Sequence, residues 1–373
     1  MNDIILDFDE RVVFALRGLY EQYGYSQYKM SKFEEYDLYV RNKDFLVSDS
    51  IITFTDTNGR LMALKPDVTL SIIKNTALEE GSVQKVYYNE NVYRASKAGG
   101  SFKEIMQVGL ECIGAIDDYC IAEVLLLAAN SLRSISESCV LDISHLGILS
   151  LLMQKCAVPQ HLQKAVLKCV SEKNTHELAR MCMSEGVSER NIEILKQVTE
   201  ISGNPKTAIL RLRELTAGII GQECIDELER ILSMLEAEGL EDMLRIDFSV
   251  VSDISYYNGI VFKGFVEGVP AGVLSGGQYD RLLKKMHRTD GAIGFAVYLD
   301  MLERMGENEK ANKLDALLLY GDNVDVTTLH AAVKQLQSQG IKVLVQKSRP
   351  QKSGFRYIYK INEKGELVHE NDA

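Results

Sequence analysis

The spacing of hydrophobic and polar residues changes several times along the 373-residue chain, and each change predicts a different kind of element. Between residues 9 and 23 apolar side chains recur at helical spacing, and Gly24 follows as a typical helix stop. Residues 51–70 are instead rich in β-formers on both sides of Asn58-Gly59, the dipeptide typical of a hairpin. The N-terminal part therefore predicts one amphipathic helix followed by a hairpin.

Further strand and helix patterns come from both halves of the chain. Strand composition is found at residues 86–93, 102–112, 245–251, 259–265 and 292–297, and helical spacing at residues 121–135 and 146–156. We therefore predict the α+β class, with one antiparallel sheet of about six or more strands flanked by helices.

The remaining patterns divide the chain into blocks. Residues 159–239 show helical spacing with few strand signals, and a strand, helix, strand order follows the polar stretch after Gly306. These patterns predict a core at 1–310, with a helical insertion at about 159–240, and a small C-terminal α/β module at 311–373.

Charge and composition exclude several classes of function. The 42 basic and 53 acidic residues give a net charge of −11, which disfavours nucleic-acid binding. The seven cysteines include no CxxC pair, so we expect reduced thiols and no zinc site or other metal. Without a basic, apolar leader or a run of 18 apolar residues, the sequence predicts a cytoplasmic protein with no membrane partner.

A turn after the hairpin carries a carboxylate and a hydroxyl in Lys65-Pro66-Asp67-Val68-Thr69. Pro66 favours an extended turn that places Asp67 and Thr69 on one side of the chain. The two side chains could grip an ammonium group. The alternative is a surface turn in which one of them caps a helix.

A second group of polar residues lies on the two strands that flank a Gly/Ser/Lys loop. Arg94 precedes the loop, and Gln107, Gly109 and Glu111 follow it in alternation with apolar residues. One face of the second strand therefore carries Gln and Glu beside a glycine. Such a face suits a small polar ligand; the alternative is the solvated outer face of an antiparallel sheet.

A third group combines tyrosines with glycines. Tyr256-Tyr257 offers flat walls with polar tips, and Gly276-Gly277 would let the backbone approach a ligand. Ordinary packing of the tyrosines and a glycine turn are the alternatives.

In this order the three groups resemble the class II aminoacyl-tRNA synthetase core of the histidyl-tRNA synthetase family, over roughly residues 10–305. Residues 65–69 are similar to the family's Arg-Pro-Glu-Gly-Thr, and residues 94–111 to its motif of an arginine, a loop and Gln-x-Gly-x-Glu. Residues 252–259 are similar to the histidine-specific Arg-Gly-Leu-Asp-Tyr-Tyr-Thr-Gly. The resemblance implies that the bound histidine is surrounded by Asp67, Thr69, Arg94, Gln107, Glu111, Tyr256 and Tyr257.

Two departures from the family pattern concern ATP chemistry. Ser252 stands where the family has the arginine that acts on the reacting carboxylate and α-phosphate, and Met301 stands where an arginine holds ATP. A hydroxyl and a thioether cannot neutralise phosphate charge. We therefore expect no catalytic residues, no cofactor and no adenylation.

A histidine site without ATP chemistry resembles the synthetase-like regulatory subunits of ATP phosphoribosyltransferase. The resemblance implies a non-catalytic, allosteric protein required for the activity of a short catalytic subunit and for histidine feedback inhibition in the first step of histidine biosynthesis. It also implies a hetero-octamer around a homodimeric core, in which the helix ending at Gly24 and the strand near Phe33 form the dimer interface. The alternatives are a divergent histidyl-tRNA synthetase and another amino-acid-sensing protein with a synthetase-like fold.

Overall fold

The computed structural model comprises two compact units, Val12–Met301 and a smaller one formed by Met1–Arg11 with Leu302–Ala373. The domain boundaries predicted from the sequence stay predictions. The residues that the structure describes are 6–42, 51–79, 81–95, 102–251, 256–302, 305, 315–350, 355–362 and 365–369.

Strands supply the framework of both units. Within the described residues they are, in chain order, β1 (Ser26–Gln27), β2 (Phe33–Glu35), β3 (Thr53–Thr55), β4 (Leu61–Leu64), β5 (Val83–Ala95), β6 (Phe102–Gly114), β7 (Cys139–His145), β8 (Ser202–Gly203), β9 (Leu244–Asp247), β10 (Ile260–Val266), β11 (Leu274–Gln278), β12 (Gly291–Tyr298), β13 (Ala316–Tyr320), β14 (Val343–Gln346), β15 (Tyr357–Ile361) and β16 (Leu367–His369).

Helices surround these strands. In the described part of the chain they are α1 (Phe8–Gln22), α2 (Tyr36–Arg41), α3 (Thr69–Asn75), α4 (Asp118–Ile135), α5 (Leu146–Lys155), α6 (Gln160–Ser171), α7 (Thr175–Ser184), α8 (Glu189–Thr199), α9 (Pro205–Thr216), α10 (Glu223–Ala237), α11 (Asp280–Lys285) and α12 (Val326–Ser338).

The large sheet of the first unit has the strand order β1-β5-β6-β12-β11-β10-β7-β9-β8 among the described residues. Most neighbours are antiparallel, but β1 pairs with β5 and β7 pairs with β9 in parallel. The predicted α+β class is confirmed, whereas the prediction of an antiparallel sheet is corrected to a mixed one. The parallel pair β7–β9 forms because α5 to α10 lie between the two strands and carry the chain back to the same edge.

The longest strands of this sheet are β5 and β6, which are rich in β-branched and aromatic residues. β5 and β6 form an antiparallel pair of thirteen residues each, from Val83↔Gly114 to Ala95↔Phe102. Helix α4 covers the sheet with an almost wholly buried apolar face, which includes Val124, Leu125 and Leu132. This packing makes the centre of the sheet a rigid support for the side chains described below.

Two of the longer strands of the large sheet, β7 and β11, were missed in the sequence. β7 has the mixed composition Cys-Val-Leu-Asp-Ile-Ser-His, and β11 contains Gly276-Gly277, which we interpreted as a turn or a backbone surface for a ligand. That interpretation is wrong: the two glycines lie inside the sheet, opposite Phe295 and Gly294 of β12. A side chain at Gly276 would meet the Gly294 carbonyl, so close strand packing requires the glycine.

The two smaller sheets are local. β2, β4 and β3 form a three-stranded sheet, which confirms the hairpin predicted around Asn58-Gly59, and β14-β13-β15-β16 form the sheet of the second unit within its described residues. In that sheet β13 and β14 are parallel and connected through α12, as the strand, helix, strand pattern predicts. In the described part of the chain, no helix is both long enough and apolar enough to cross a membrane.

Candidate amino-acid-binding site

The site is centred on Glu111, a buried carboxylate near the C-terminal end of β6. The pairing register places Glu111 opposite Gly294 of β12 and Val86 of β5. A side chain at Gly294 would collide with Oε2 of Glu111, so the glycine leaves the space into which the carboxylate projects. The solvated outer face that we considered as an alternative for β6 is excluded, because Glu111 and Gln107 are both buried.

Two hydroxyl groups hold the Glu111 carboxylate. Thr69 Oγ1 donates to Oε1 at 2.9 Å, and the Tyr279 hydroxyl donates to Oε2 at 2.5 Å. Thr69 is the first residue of α3, and Tyr279 directly precedes α11, so the ends of two helices converge on one strand. Each carboxylate oxygen keeps a further lone pair, with which it can accept a hydrogen bond from a ligand N–H.

The tyrosine pair predicted from the sequence lies beside this network. The rings of Tyr256 and Tyr257 are 4.5 Å apart between centroids, and the ring of Tyr256 is 5.7 Å from that of Tyr279. A side chain at Gly277 would lie 2.8 Å from Cδ1 of Tyr257. The glycine therefore makes room for the tyrosine ring and does not face a ligand directly.

Burial dominates the electrostatics of the carboxylate. It raises the pKa of Glu111 to about 8, although the hydrogen bonds from Tyr279 and Thr69 favour the charged form. The nearby carboxylate of Asp67 adds to the increase in the pKa. Without a ligand, Glu111 therefore keeps its proton near neutral pH. A ligand that is cationic or carries an N–H group would replace the interactions with water that burial removes, and would favour the charged form.

Asp67 has the capping function that we considered as the alternative, and its binding of an ammonium group stays a prediction. Its Oδ1 accepts a hydrogen bond from the backbone N–H of Leu70 at 3.0 Å, so it caps α3 as the alternative proposed. Burial raises the pKa of Asp67, and the positive charge of Arg94 opposes the increase. Asp67 is therefore also part of the same electrostatic cluster as Glu111.

Burial also raises the pKa of four phenols well above the usual range: Tyr88, Tyr256, Tyr257 and Tyr279. The carboxylate of Glu111 contributes in the same direction for each of them. These tyrosines consequently remain protonated donors at neutral pH, and their rings provide flat apolar walls.

Arg94 and Lys65 hold the segment that carries Asp67 and Thr69. Arg94 Nε donates to the carbonyl oxygen of Pro66 at 3.0 Å, and Lys65 Nζ lies 2.7 Å from a carboxylate oxygen of Glu90. The Lys65 side chain is completely buried, whereas the sequence had suggested an exposed turn. The turn is thereby fastened to β5 on both sides.

A cavity of about 610 Å³ lies next to Arg94. Its wall includes Ser275, Tyr298, Asp300 and Met301, and the hydroxyls of Ser275 and Tyr298 lie 2.8 Å apart. This volume is within the range of roughly 300–1,000 Å³ that is common for ligand sites. Met301 therefore lies on the wall of this cavity, where its thioether offers no positive charge.

The structure brings most of the predicted site residues together. Asp67, Thr69, Glu111, Tyr256 and Tyr257 interact directly or electrostatically. Arg94 joins the cluster through its charge, and Gln107 shares the buried face of β6 with Glu111. Ser252 lies outside the described residues.

Tyr279 and Tyr88 were missed as site residues. Tyr279 had a signal in the sequence, the Gly-Gly-Gln-Tyr-Asp segment, but its contact with Glu111 spans 168 positions of the chain. Tyr88 stands in an apolar strand with no motif of its own, and nothing in its surroundings in the sequence could have identified it. A side chain at Gly109 would collide with the Phe295 carbonyl and approach the Tyr88 hydroxyl, so this glycine serves packing within the protein.

The arrangement suits a small amino acid whose side chain carries an N–H group. Glu111 can accept from such a group, the tyrosines can enclose a flat ring, and Asp67 with Arg94 offers both charge signs for a zwitterion. Among the described residues His145, Cys224 and Glu227 form the group that could hold a metal ion, and it is separate from these hydrogen bonds.

Comparison with known proteins gives a consistent result. The family model described as Histidyl-tRNA synthetase matches residues 7–302. Curated relatives named ATP phosphoribosyltransferase regulatory subunit are found in Oceanobacillus iheyensis, 25% identical with 90% of this chain and 84% of the relative covered, and in a Geobacillus species, 28% identical with 84% and 81% covered.

Solved structures share the fold. An ATP phosphoribosyltransferase regulatory subunit/histidyl-tRNA synthetase from Bacillus halodurans superposes with a TM-score of 0.71 at 24% identity, covering 91% of this chain and 88% of that one. A chain of an ATP phosphoribosyltransferase complex from Thermotoga maritima gives 0.62 at 20% identity, covering 80% and 98%. At these identities the superpositions demonstrate the fold alone.

Proposed function

Because this chain belongs to the histidyl-tRNA synthetase family and has its class II synthetase fold, we propose that it is the non-catalytic regulatory subunit of an ATP phosphoribosyltransferase. It binds the short catalytic subunit, is required for that subunit's activity, and makes it sensitive to histidine. The names of the curated relatives and the Thermotoga maritima complex support this function.

One observation carries the proposal. Thr69 and Tyr279 hold the buried Glu111 carboxylate by hydrogen bonds. The cavity beside Arg94 has Met301 on its wall, where the resemblance implies the family's arginine. Binding of an amino acid needs the first of these features, and ATP activation needs a cation at the second. With Ser252 at the other arginine position, two charges for phosphate chemistry are missing from the sequence.

Histidine is the ligand that fits the pocket best. Its imidazole N–H matches the carboxylate of Glu111, and the planar ring matches the tyrosine walls formed by Tyr256 and Tyr257. We further propose that histidine binds with different affinity in two states of the complex and so shifts it towards the less active one. The hetero-octamer, its homodimeric core and the cytoplasmic location belong to the same proposal.

The test uses the purified chain and the short-form catalytic subunit of the same organism. Formation of phosphoribosyl-ATP is measured with the catalytic subunit alone and after addition of this chain. We expect activity to depend on the addition. Equal activity without it would refute the regulatory function.

A second assay separates the regulator from an active synthetase. The chain is incubated with ATP, histidine and labelled pyrophosphate, with an active histidyl-tRNA synthetase as the positive control. We expect no histidine-dependent incorporation of label into ATP. Incorporation at a rate near that of the control would show that the chain activates histidine and would contradict the proposal.

A further inference from the structure

A second cluster of polar side chains, all of types that can bind a metal ion, lies outside the proposed amino-acid site. His145, Cys224 and Glu227 each offer one ligand atom, and these atoms all lie within 4.8 Å of one another. His145 Nε2 lies 3.4 Å from Glu227 Oε2, so the other ring nitrogen, Nδ1, is the one that could bind an ion. Ligand atoms around a tetrahedral zinc ion lie about 3.3 to 3.8 Å apart, given bond lengths of about 2.0 to 2.3 Å. A small side-chain adjustment would therefore complete the geometry.

The cluster is built on rigid elements. His145 is the last residue of β7, where it pairs with Ile260 of β10. Cys224 and Glu227 lie in the first turns of α10, three residues apart, and therefore on one face of the helix. The neighbouring residues Ile225 and Leu228 of that helix are completely buried, so its position is fixed by the core.

The hydrogen-bonding capacity of His145 is only partly used. Only 3% of His145 is exposed, and its Nδ1 atom has no hydrogen-bond partner among the described residues. A buried polar atom without a partner is destabilising and calls for an explanation, of which a bound ion is one. A side chain at Gly147 would lie 2.7 Å from Cε1 of His145, so this glycine leaves space for the ring.

We propose that His145, Cys224 and Glu227 form a binding site for one divalent transition-metal ion, for which zinc is the best match. Imidazole, thiolate and carboxylate are the three ligand types that zinc takes in proteins. The thiolate and the carboxylate together carry two negative charges, which balance the divalent cation. Three protein ligands leave the fourth position to water.

A metal ion bound here would link α10 to the end of β7, which contacts the segment that follows the tyrosine pair. The backbone N–H of Leu146, next to His145, donates to the carbonyl oxygen of Gly259 at 2.9 Å, and Gly259 follows the tyrosine pair closely. This site could not be predicted from the sequence, because His145 and Cys224 are far apart in the chain and neither belongs to a spaced ligand motif. Our prediction of no metal came from the absence of such motifs.

The test is titration of the metal-free full chain with Co²⁺, followed by Zn²⁺. We expect one equivalent of Co²⁺ to produce a thiolate-to-cobalt charge-transfer band together with the visible bands of tetrahedral cobalt, and Zn²⁺ to abolish both. Cys224→Ser should remove the charge-transfer band, and Glu227→Gln should weaken zinc binding at least about tenfold. Cys139→Ser, at another partly buried cysteine, is the matched control and should bind like the wild type.

Thermal unfolding gives an independent measurement. Zinc should raise the unfolding midpoint of the wild-type chain and of Cys139→Ser, because the ion binds the folded state, and should leave that of Cys224→Ser unchanged. Both tests avoid substitution of the deeply buried His145, whose variants could fail to fold. Absence of cobalt bands in the wild type, or bands that persist in Cys224→Ser, would overturn the proposal.

Discussion

Among single residues, Glu111 has the environment on which the proposed histidine site depends most. Its carboxylate is buried, receives hydrogen bonds from Thr69 and Tyr279, and lies against Gly294. Such a group is costly to keep charged when it is buried, and a ligand that donates an N–H or carries a positive charge relieves that cost. Under the proposed function, we expect selectivity for histidine to depend on this position more than on any other.

Removal of the charge should therefore weaken histidine binding. We expect Glu111→Gln to raise the dissociation constant by about tenfold or more, since a hydrogen bond to a charged group contributes about 1.5–3 kcal/mol. Calorimetric titration with histidine measures the change. Glu104→Gln, at an exposed carboxylate of the same strand, is the control and should bind histidine as tightly as the wild type.

The raised pKa of Glu111 also predicts how stability depends on pH. The folded state holds this proton up to about pH 8, whereas a carboxyl in the unfolded chain loses it near its usual value of 4.5. Because the folded state binds more protons in this window, this group makes the free energy of unfolding fall as the pH rises from about 4.5 to 8. One pKa unit corresponds to about 1.4 kcal/mol.

Glu111→Gln removes this titration, so denaturant unfolding of the variant should depend less steeply on pH than that of the wild type between pH 5 and pH 8. Glu104→Gln again serves as the control. Identical slopes for the wild type and Glu111→Gln would mean that Glu111 titrates normally in the folded protein.

The space at Gly294 is as important as the carboxylate itself. Gly294→Ala should destabilise the protein by about 1–3 kcal/mol, because the new methyl group collides with Glu111 Oε2 and cannot move away from the strand. Gly18→Ala is the matched control, since Gly18 is exposed in α1 with open space around it and alanine favours a helix by about 1 kcal/mol. Chemical denaturation should show a lower free energy of unfolding for Gly294→Ala and a higher one for Gly18→Ala. Equal changes for the two variants would contradict this description.

At the scale of elements, the turn that carries Asp67 and Thr69 is fastened by the buried ion pair between Lys65 and Glu90. Lys65→Met leaves the Glu90 carboxylate unpaired, so we expect a loss of about 3 kcal/mol, the lower end for a broken buried pair. Lys74→Met breaks the more exposed pair with Glu34 and should cost less than about 1 kcal/mol. Urea unfolding compares the two variants; similar losses would show that the Lys65 pair is no more important than a surface one.

The elements themselves could be predicted to different degrees. β5 and β6 were evident because apolar residues alternate along them, and α1 because its apolar residues repeat at helical spacing. β11 was missed because Gly276 and Gly277 carry no side chain to reveal the alternation, and their role depends on how closely β12 approaches. Local sequence patterns contain no information about such contacts between distant strands.

At the level of the entire chain, the residues around Glu111 come from separate stretches, at 67–69, 94, 107–111, 256–257 and 279. The motif order identified Asp67, Thr69, Glu111 and the tyrosine pair, because a resemblance to a family contains the three-dimensional arrangement implicitly. It did not identify Tyr279 as a ligand-pocket residue, nor the meeting of His145 with Cys224, since neither pairing belongs to a motif. Geometry was needed for both.

The central claim is that this chain has kept an amino-acid pocket and uses it to regulate a partner. The most direct test is histidine inhibition of the assembled ATP phosphoribosyltransferase, measured as a fraction of each complex's own activity without histidine, with the wild-type chain, Glu111→Gln and Glu104→Gln. We predict that histidine inhibits the wild-type and Glu104→Gln complexes at similar concentrations. Inhibition of the Glu111→Gln complex should need at least about tenfold more histidine. Equal inhibition of all three complexes would contradict it.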